Sequence, residues 1–324
     1  MTPDPRASTR SGLLFALGSA ACFGLAGAVA KPLLDAGWSS AGVVIARVGC
    51  AALLLALPSW WALRGKLDVL RAEWRLVLGY GVFAIAGTQL AFFNAVSRMS
   101  VGVAILIEFT APIAVVGWMW LRHGQRPAPL VFVGSVIAGI GLLLVLDLTG
   151  QGVDPVGAAW ALAAMGCLAT YFVMSAQPTR LPPIGLAGPG LAAGWIVLAA
   201  AGVAGLVNVT MRPVEVDYTF GAVPWWVAVL VLGLMTGALA YTFGIGAGRR
   251  LGARLASFVA LLEVVFAIAF AWLLLGETAG VVQAAGGLLI LAGVIVIKRA
   301  EGSVATGDQS PASSSRTRGM TSVP

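Results

Sequence analysis

Charged residues are scarce in this chain. Only 10% of its 324 residues are Asp, Glu, Lys or Arg, whereas 59% are hydrophobic, and the mean hydropathy is +0.95. Soluble domains carry about 25% charged residues, so this composition excludes a soluble globular protein. One membrane-spanning helix takes about 20 apolar residues, so the chain is long enough for roughly ten spans.

Histidine and cysteine are equally scarce. His123 is the single histidine, and the three cysteines, Cys22, Cys50 and Cys167, lie in apolar runs without a CxxC spacing. These absences exclude histidine-based metal or triad chemistry, a disulfide framework and a zinc site. The sequence also has no paired acid/base motif and no glycine-rich phosphate loop. We therefore expect no metal, no cofactor and no enzyme activity.

The apolar residues fall into ten long runs bounded by charged, Pro or Gly residues. Each run is predicted to be a transmembrane helix, which gives an all-α integral membrane protein. The predicted spans are 12–34, 40–63, 76–97, 100–121, 128–147, 155–176, 185–208, 223–247, 254–275 and 279–297.

The basic residues indicate the orientation of these spans. With residues 1–11 in the cytoplasm, most Lys and Arg residues fall in inner loops or termini, as the positive-inside rule requires. We therefore expect a multi-pass protein of a bacterial-type inner membrane with both termini cytoplasmic. The net charge of +7 is then a topology signal, and no nucleic acid is expected as a partner. The tail 300–324 is rich in Ser, Thr, Gly and Pro, which predicts disorder.

The two halves of the chain are weakly similar to each other. Both matching shifts pair a span with the fifth span after it, so the halves enter the membrane from opposite sides. The sequence thus predicts inverted five-helix repeats at 12–150 and 151–299, an architecture that favours transport by alternating access. A shift of 152 residues aligns Arg98 with Arg250, Ala104 with Ala256, Trp120-Leu121 with Trp272-Leu273 and Gly124 with Gly276, and a shift of 145 aligns Ala16-Leu17 with Ala161-Leu162 and Cys22 with Cys167.

Apart from residues at the very ends of the predicted spans, four charged residues lie within them: Lys31, Arg47, Glu108 and Glu263. Such residues are costly in a bilayer and mark functional or paired sites. Arg47 and Glu108 lie at the same depth, roughly 10–12 Å from the outer ends of their spans at 1.5 Å per residue, and could form an ion pair. Lys31 lies nearer the outer end, where its side chain can reach the interface.

Glu108 precedes a predicted helix break at Pro112. Proline has no N–H, so the carbonyl of Glu108 loses its helical partner. The carboxylate and this carbonyl could together receive a substrate ammonium group or a proton. The alternative is a kink with a structurally paired Glu108. Desolvation would raise the pKa of the Glu108 or Glu263 carboxyl group, and a nearby cation would lower it.

Uncharged polar residues in spans 3, 6 and 8 are further candidates for contact with a substrate. Interhelical hydrogen bonds are the more usual role of such side chains in membrane helices. The candidates are Gln89, Asn94, Tyr171 and Tyr241.

Ten spans in two inverted five-helix halves, over about residues 12–299, resemble the EamA-type members of the drug/metabolite transporter superfamily, and three short motifs sharpen the resemblance. Residues 47–55, an Arg followed by small residues and leucines, resemble the family's pattern in span 2, and residues 274–277 (Leu-Leu-Gly-Glu) resemble its motif closing span 9. Residues 107–112 (Ile-Glu-Phe-Thr-Ala-Pro) are similar to a Glu-Phe-Thr-Gly-Pro stretch of the threonine/homoserine exporter branch, with Ala111 replacing the glycine. Val264 stands where the usual proline follows the second-half glutamate, Glu263.

The resemblance implies export of small polar metabolites, with threonine and homoserine favoured, by proton antiport or exchange. It implies a central cavity lined by spans 1, 3, 4, 6, 8 and 9, with spans 5 and 10 peripheral. Glu108 would receive the substrate amine or a proton, Arg47 would balance its charge or bind a carboxylate, and Glu263 would be the second carboxylate.

Other functions remain open at this point. The chain could export hydrophobic drugs or aromatic metabolites, or it could be a membrane scaffold or lipid-binding protein. The expected partners are a small-molecule substrate and the lipid bilayer, with a homodimer as an open alternative.

Overall fold

The computed structural model describes residues 5–98, 101–124, 127–146, 154–276 and 280–307. This part of the chain is helical apart from one short hairpin. The α-helices are α1 Pro5–Asp35, α2 Ser40–Leu63, α3 Leu67–Ala72, α4 Trp74–Gly79, α5 Thr88–Val96, α6 Val101–Glu108, α7 Ala111–His123, α8 Pro129–Leu146, α9 Pro155–Ser175, α10 Pro183–Val203, α11 Trp225–Val231, α12 Ala240–Ala260, α13 Leu262–Leu275 and α14 Val281–Gly307. Two π-helical segments, Tyr80–Gly87 and Leu232–Leu239, join α4 to α5 and α11 to α12.

The helices are those of a multi-pass membrane protein. Within the described ranges, eight helical stretches are long and apolar enough to cross a membrane, and two shorter apolar helices, Pro129–Val145 and Leu262–Leu275, accompany them. One of the eight, Trp225–Ala260, is 36 residues long and is broken at Gly252, where φ is +77° and ψ is 163°. Only glycine adopts this conformation readily, so the chain changes direction here.

One short hairpin accompanies the helices of the predicted all-α protein. The strands β1 Glu215–Tyr218 and β2 Gly221–Pro224 form an antiparallel hairpin between α10 and α11, closed at Gly221 with φ +123°. Val216 is buried while Asp217 is exposed, which is the alternation expected of a strand with one covered face. The alternation extends over too few residues to stand out in the sequence.

Helix α14 continues to Gly307, so its last residues belong to the tail 300–324, for which the sequence predicts disorder. Residues 308–324 lie outside the described part of the chain.

Helices from the two halves of the chain interlock around the centre. Helix α1 packs on α12 and α13, and α9 packs on α5, α6 and α7. Helix α2 packs on α10, and α8 packs on α14 at one side of the molecule. The centre of the molecule is therefore surrounded by helices from both halves.

Loops assigned to the same side of the membrane meet at one end of the molecule. At the predicted outer end, Trp38 Nε1 donates to the carbonyl of Arg212 over 2.7 Å, and Thr219 N donates to that of Leu274 over 3.0 Å. At the opposite end, Arg249 Nη1 donates to the carbonyl of Leu181 over 2.5 Å.

Candidate functional site

A cavity of about 330 Å³ lies at the centre of the helices. It is lined by α1, α2, α5, α6, α9, α12 and α13, together with Ala84 of the first π-helical segment and Phe109. Among the described residues, none of the lining side chains belongs to α8, α10 or α14. Its charged lining residues are Arg47, Glu108 and Glu263, its uncharged polar ones are Ser19, Thr88 and Gln89, and its aromatic ones are Phe23, Phe92, Phe109, Tyr171, Phe172 and Tyr241.

The three charged side chains are withdrawn from the surface without being paired. Arg47 is 8% exposed and Glu108 is 9% exposed, while Glu263 is partly buried. The Nε atom of Arg47 is buried and has no hydrogen-bond partner. Within the described ranges, no carboxylate lies within salt-bridge distance of Arg47, and neither glutamate carboxylate receives a hydrogen bond. The depth-matched Arg47 and Glu108 thus share a cavity but form no ion pair.

A break in the fourth span positions Glu108. Helix α6 ends at Glu108, and α7 begins at Ala111 with Pro112 in its first turn. The Thr110 hydroxyl donates to the carbonyl of Ile107 over 2.6 Å, which holds the turn between the two helices. Since Pro112 has no N–H, the carbonyl of Glu108 lacks its helical donor at this break.

The ninth span is interrupted beside Glu263 as well. Helix α12 ends at Ala260 and α13 begins at Leu262, so Glu263 lies in the first turn of α13, although no proline follows it. Gly24 of α1 packs tightly here, because a Cβ at that position would lie 2.7 Å from the carbonyl oxygen of Glu263. Both cavity carboxylates therefore stand at helix ends.

Three of the four tyrosines of the chain pack together, and two of them, Tyr171 and Tyr241, line this cavity. The ring centroids of Tyr80 and Tyr171 are 5.9 Å apart, and those of Tyr171 and Tyr241 are 5.8 Å apart. The ring centroids of Phe23 of α1 and Tyr241 are 5.1 Å apart, and the Tyr80 hydroxyl lies 3.3 Å from Ser175 Oγ. Such edge and tilted contacts are favourable aromatic geometries. We call Phe23, Tyr80, Tyr171 and Tyr241 the aromatic cluster.

Most of the residues singled out in the sequence reach this cavity, and some do not. Arg47, Glu108, Glu263, Gln89, Tyr171 and Tyr241 line it. Lys31 instead forms an exposed ion pair with Asp35, with Nζ and Oδ2 2.8 Å apart. Asn94 is not among the lining residues, and its Nδ2 donates to the carbonyl of Leu90 over 2.8 Å. Pro112 contributes through the helix break alone.

Sequence reasoning missed Tyr80 and the cavity phenylalanines. Phenylalanine in a membrane helix has the same hydropathy whether it faces lipid or a cavity, so the sequence held no signal for Phe23, Phe92 or Phe109. Tyr80 carried one, because a tyrosine within an apolar run needs a partner for its hydroxyl. That partner, Ser175, is 95 residues away in the sequence.

These features define a multi-pass helical membrane protein with a central cavity that holds unpaired charges. Two parts of the chain, residues 10–147 and 155–299, match the EamA-like transporter family. The chain therefore belongs to this family of membrane transporters. The resemblance seen in the sequence motifs is confirmed.

Curated relatives are similar over most of their length. The chain is 30% identical over 260 residues to the threonine/homoserine exporter RhtA of Escherichia coli K12, covering 78% of this chain and 79% of that protein. It is 28% identical over 270 residues to RhtA of Salmonella typhimurium LT2, covering 82% of each. It is 24% identical over 297 residues to the uncharacterized inner membrane transporter YicL of the same strain, covering 90% of this chain and 96% of YicL.

A solved crystal structure has the same fold. It superimposes with a TM-score of 0.73 at 20% identity, covering 93% of this chain and 99% of that one.

Proposed function

We propose that this protein is a secondary transporter that exports threonine, homoserine or a related small amino acid across a bacterial inner membrane. The observation that carries the proposal is the set of unpaired groups around one cavity, Arg47, Glu108 and Glu263. A zwitterionic amino acid presents one cation and one anion, and these groups complement both. The names of the RhtA relatives support the same substrate class.

Each charged residue has a distinct proposed role. Glu108 receives the substrate ammonium or a proton, assisted by its own unbonded carbonyl. Arg47 binds the substrate carboxylate, because its guanidinium matches carboxylate geometry. Glu263 is the second carboxylate for the ammonium or the proton. An amine and a proton that compete for the same carboxylates provide a basis for proton antiport or exchange.

The uncharged candidates complete the proposed site. Gln89, Tyr171 and Tyr241 line the cavity and would contact the substrate side chain. Lys31 and Asn94 have bonding partners outside the cavity, so we assign both a structural role.

We further propose ten spans arranged as two inverted repeats, 12–150 and 151–299, that provide alternating access. The shift of 152 residues seen in the sequence also carries the π-helical segment Tyr80–Gly87 onto Leu232–Leu239. It carries Gly124, which ends α7 with φ +66°, onto Gly276, which ends α13 with φ +70°. Repeated backbone irregularities at one spacing support a repeated structure, in which the shorter helices α8 and α13 also belong to spans.

Both termini are proposed to be cytoplasmic, including residues 1–11 and the tail 300–324. The loops that carry most of the basic residues meet at one end of the molecule, where Glu73 accepts hydrogen bonds from Thr179 and Arg180. The positive-inside rule places this end in the cytoplasm.

A second candidate function has one observation in its favour. Six aromatic side chains line the cavity, which suits a hydrophobic drug or an aromatic metabolite. A membrane scaffold or lipid-binding protein is the non-transport alternative, and it would show no substrate-dependent flux.

Flux measurements in proteoliposomes test these functions. Labelled threonine and homoserine are compared with an aromatic amino acid and a cationic dye, with and without an imposed pH gradient. We expect threonine or homoserine flux that responds to the gradient. Movement of the dye or the aromatic amino acid alone supports the second candidate, and no movement of any compound supports the non-transport alternative.

The Glu108→Gln variant tests the proposed role of Glu108. It should lose gradient-dependent flux, whereas Asp35→Asn, which neutralises a carboxylate outside the cavity, should retain it. Normal coupled flux in Glu108→Gln would contradict the role given to Glu108.

A further inference from the structure

On the predicted cytoplasmic side of the cavity, a tyrosine packs on a glycine. The hydroxyl of Tyr171 on α9 occupies the place where a side chain at Gly244 on α12 would begin, so a methyl group there would overlap it. The neighbouring side chains Phe172 and Tyr241 are buried with Tyr171. Large rings therefore pack against helix backbone on this side of the cavity.

At the corresponding place on the opposite side of the cavity, no ring packs on the glycine. Gly27 of α1 is exposed, and a Cβ built there would meet no atom within 4 Å. Phe92 and Gln89 of α5 line the same cavity and are partly buried. A ring and a glycine therefore face one cavity here without closing it.

The internal repeat relates these two sides. The shift of 145 residues carries Ala26-Gly27 onto Tyr171-Phe172. The shift of 152 residues carries Gln89 onto Tyr241 and Phe92 onto Gly244. Each side thus has an aromatic ring on one helix and a glycine on the facing helix, but the helix that carries the ring differs between the two halves. On the predicted cytoplasmic side the ring lies on α9, the counterpart of α1. On the opposite side it lies on α5, the counterpart of α12.

We propose that the transporter has two gates of reversed construction: an inner gate formed by Tyr171 on Gly244, closed in this structure, and an outer gate formed by Phe92 on Gly27, open in this structure. The proposal rests on the alternating access proposed above. When the inner gate opens, Phe92 moves onto Gly27 and closes the outer side. Each gate places a rigid ring on bare backbone, so a small rotation of one helix suffices to seal or open it.

Side-specific labelling of a cavity cysteine tests the inner gate. The native cysteines Cys22, Cys50 and Cys167 are replaced by alanine, and Ala260→Cys, in the cavity wall, serves as the reporter. A membrane-impermeant maleimide is added to vesicles of known orientation. The reporter should be labelled from the outer side and protected from the inner side.

The Gly244→Ala variant should open the inner gate. Overpacking of this kind costs enough to raise labelling from the inner side about tenfold. Tyr171→Phe in the same variant removes the overlapping oxygen and should restore protection. The matched control is Gly166→Ala, on the helix that carries Tyr171, where an added Cβ meets no atom within 4 Å.

A second pair of variants tests the outer gate. In Gly244→Ala, labelling from the outer side should fall, because the outer gate closes. Adding Phe92→Ala removes the ring, so the reporter should then be labelled from both sides. If Gly244→Ala does not fold, as judged by size-exclusion chromatography, Tyr171→Ala should open the same inner gate without any overlap.

Three results would overturn the proposal. These are inner-side labelling of the unmodified reporter protein, a failure of Tyr171→Phe to restore protection in Gly244→Ala, and equal labelling of the Gly166→Ala and Gly244→Ala variants. Labelling requires no substrate, so the gates and the proposed substrate are tested separately. Absent amino-acid flux with the expected labelling contradicts the substrate, whereas normal flux with unchanged labelling in every variant contradicts the gates.

Discussion

Gly141 of α8 and Gly286 of α14 are in reciprocal backbone contact. A Cβ on Gly141 would lie 2.6 Å from the carbonyl oxygen of Gly286, and a Cβ on Gly286 would lie 2.6 Å from that of Gly141. Gly134 and Gly293 repeat the relationship along the same pair of helices, and a shift of 152 residues exchanges the two contacts. The helices therefore pack antiparallel with their backbones close together, as small residues allow in membranes.

The first prediction concerns this helix contact. Gly141→Ala should lower the free energy of unfolding by about 1–3 kcal/mol, because the added methyl group forces the backbones apart. Thermal or denaturant unfolding in detergent measures the change. Gly139→Ala is the matched control, since a Cβ there meets no atom within 4 Å. Equal destabilisation by both substitutions would contradict the close contact.

The second prediction distinguishes binding of the carboxylate of the proposed substrate from binding of its amine. Arg47→Gln should reduce threonine flux about 10- to 100-fold, the loss expected from about 1.5–3 kcal/mol for a hydrogen bond to a charged group. Flux of 1-amino-2-propanol, which lacks the carboxylate, should change much less. Competition assays in proteoliposomes measure both. An equal loss for the two compounds would mean that Arg47 maintains the fold of the cavity and does not bind the carboxylate.

The third prediction concerns the end of the molecule where the loops with most of the basic residues meet. The Glu73 carboxylate accepts hydrogen bonds from the Thr179 hydroxyl and from the backbone N–H of Arg180, which ties the two halves together. Glu73→Ala should destabilise the protein by about 1–3 kcal/mol, since two donors lose their acceptor. Asp68→Ala, an exposed acid nearby in the sequence, should have little effect.

A double-mutant cycle with Thr179→Val checks the Glu73 contact. If the two side chains act together, the effects of Glu73→Ala and Thr179→Val will be less than additive. Additive effects would show that Glu73 stabilises the fold in some other way.

The fourth prediction uses the pH dependence of the hairpin. The Tyr218 hydroxyl donates to the carbonyl of Val29 over 2.9 Å, and burial raises the pKa of Tyr218 from 10.0 to about 12. The folded state thus favours the protonated phenol, so the contribution of Tyr218 is complete below pH 10 and is lost as pH rises towards 12. Tyr218→Phe should destabilise the protein at pH 7 by about 1 kcal/mol.

Comparison of unfolding across the pH range tests this assignment. The stability difference between the wild type and Tyr218→Phe should be constant from neutral pH to about pH 10 and should shrink above it. A difference that stays constant through the whole range would show that the hydroxyl is not anchored in the folded state.

Local signals in the sequence were sufficient to locate several helix starts. The span predicted at 40–63 from its apolar run coincides with α2, and the structure shows that Ser39 caps this helix by accepting a hydrogen bond from Gly42 N. Asp154 caps α9 in the same way, at Gly157 N. Charge, the other strong signal, led to Arg47, Glu108 and Glu263, since each is costly inside a membrane.

Features that depend on distant partners were not predictable. The predicted spans 223–247 and 254–275 leave a break between them, but glycine is too common in this chain, with 42 residues, to identify Gly252 as its exact position. The interruption between α12 and α13 was not predicted because no proline follows Glu263 in the sequence. The meeting of Tyr80 with Tyr171 depends on how helices from the two halves pack, and helix periodicity carries no information on that.

The two π-helical segments alter the angular phase of the helices that contain them. In an α-helix, side chains four residues apart drift by about 40° around the axis, so a stripe with a four-residue period soon turns away from the core. The wider turn of a π-helix reduces this drift. In the span with the first segment, one side consequently stays buried at Tyr80, Ala84 and Thr88. In the span with the second segment, the same holds for Leu232, Thr236 and Ala240. Each π-helical segment thus keeps side chains four residues apart on the same buried face of its span beside the cavity.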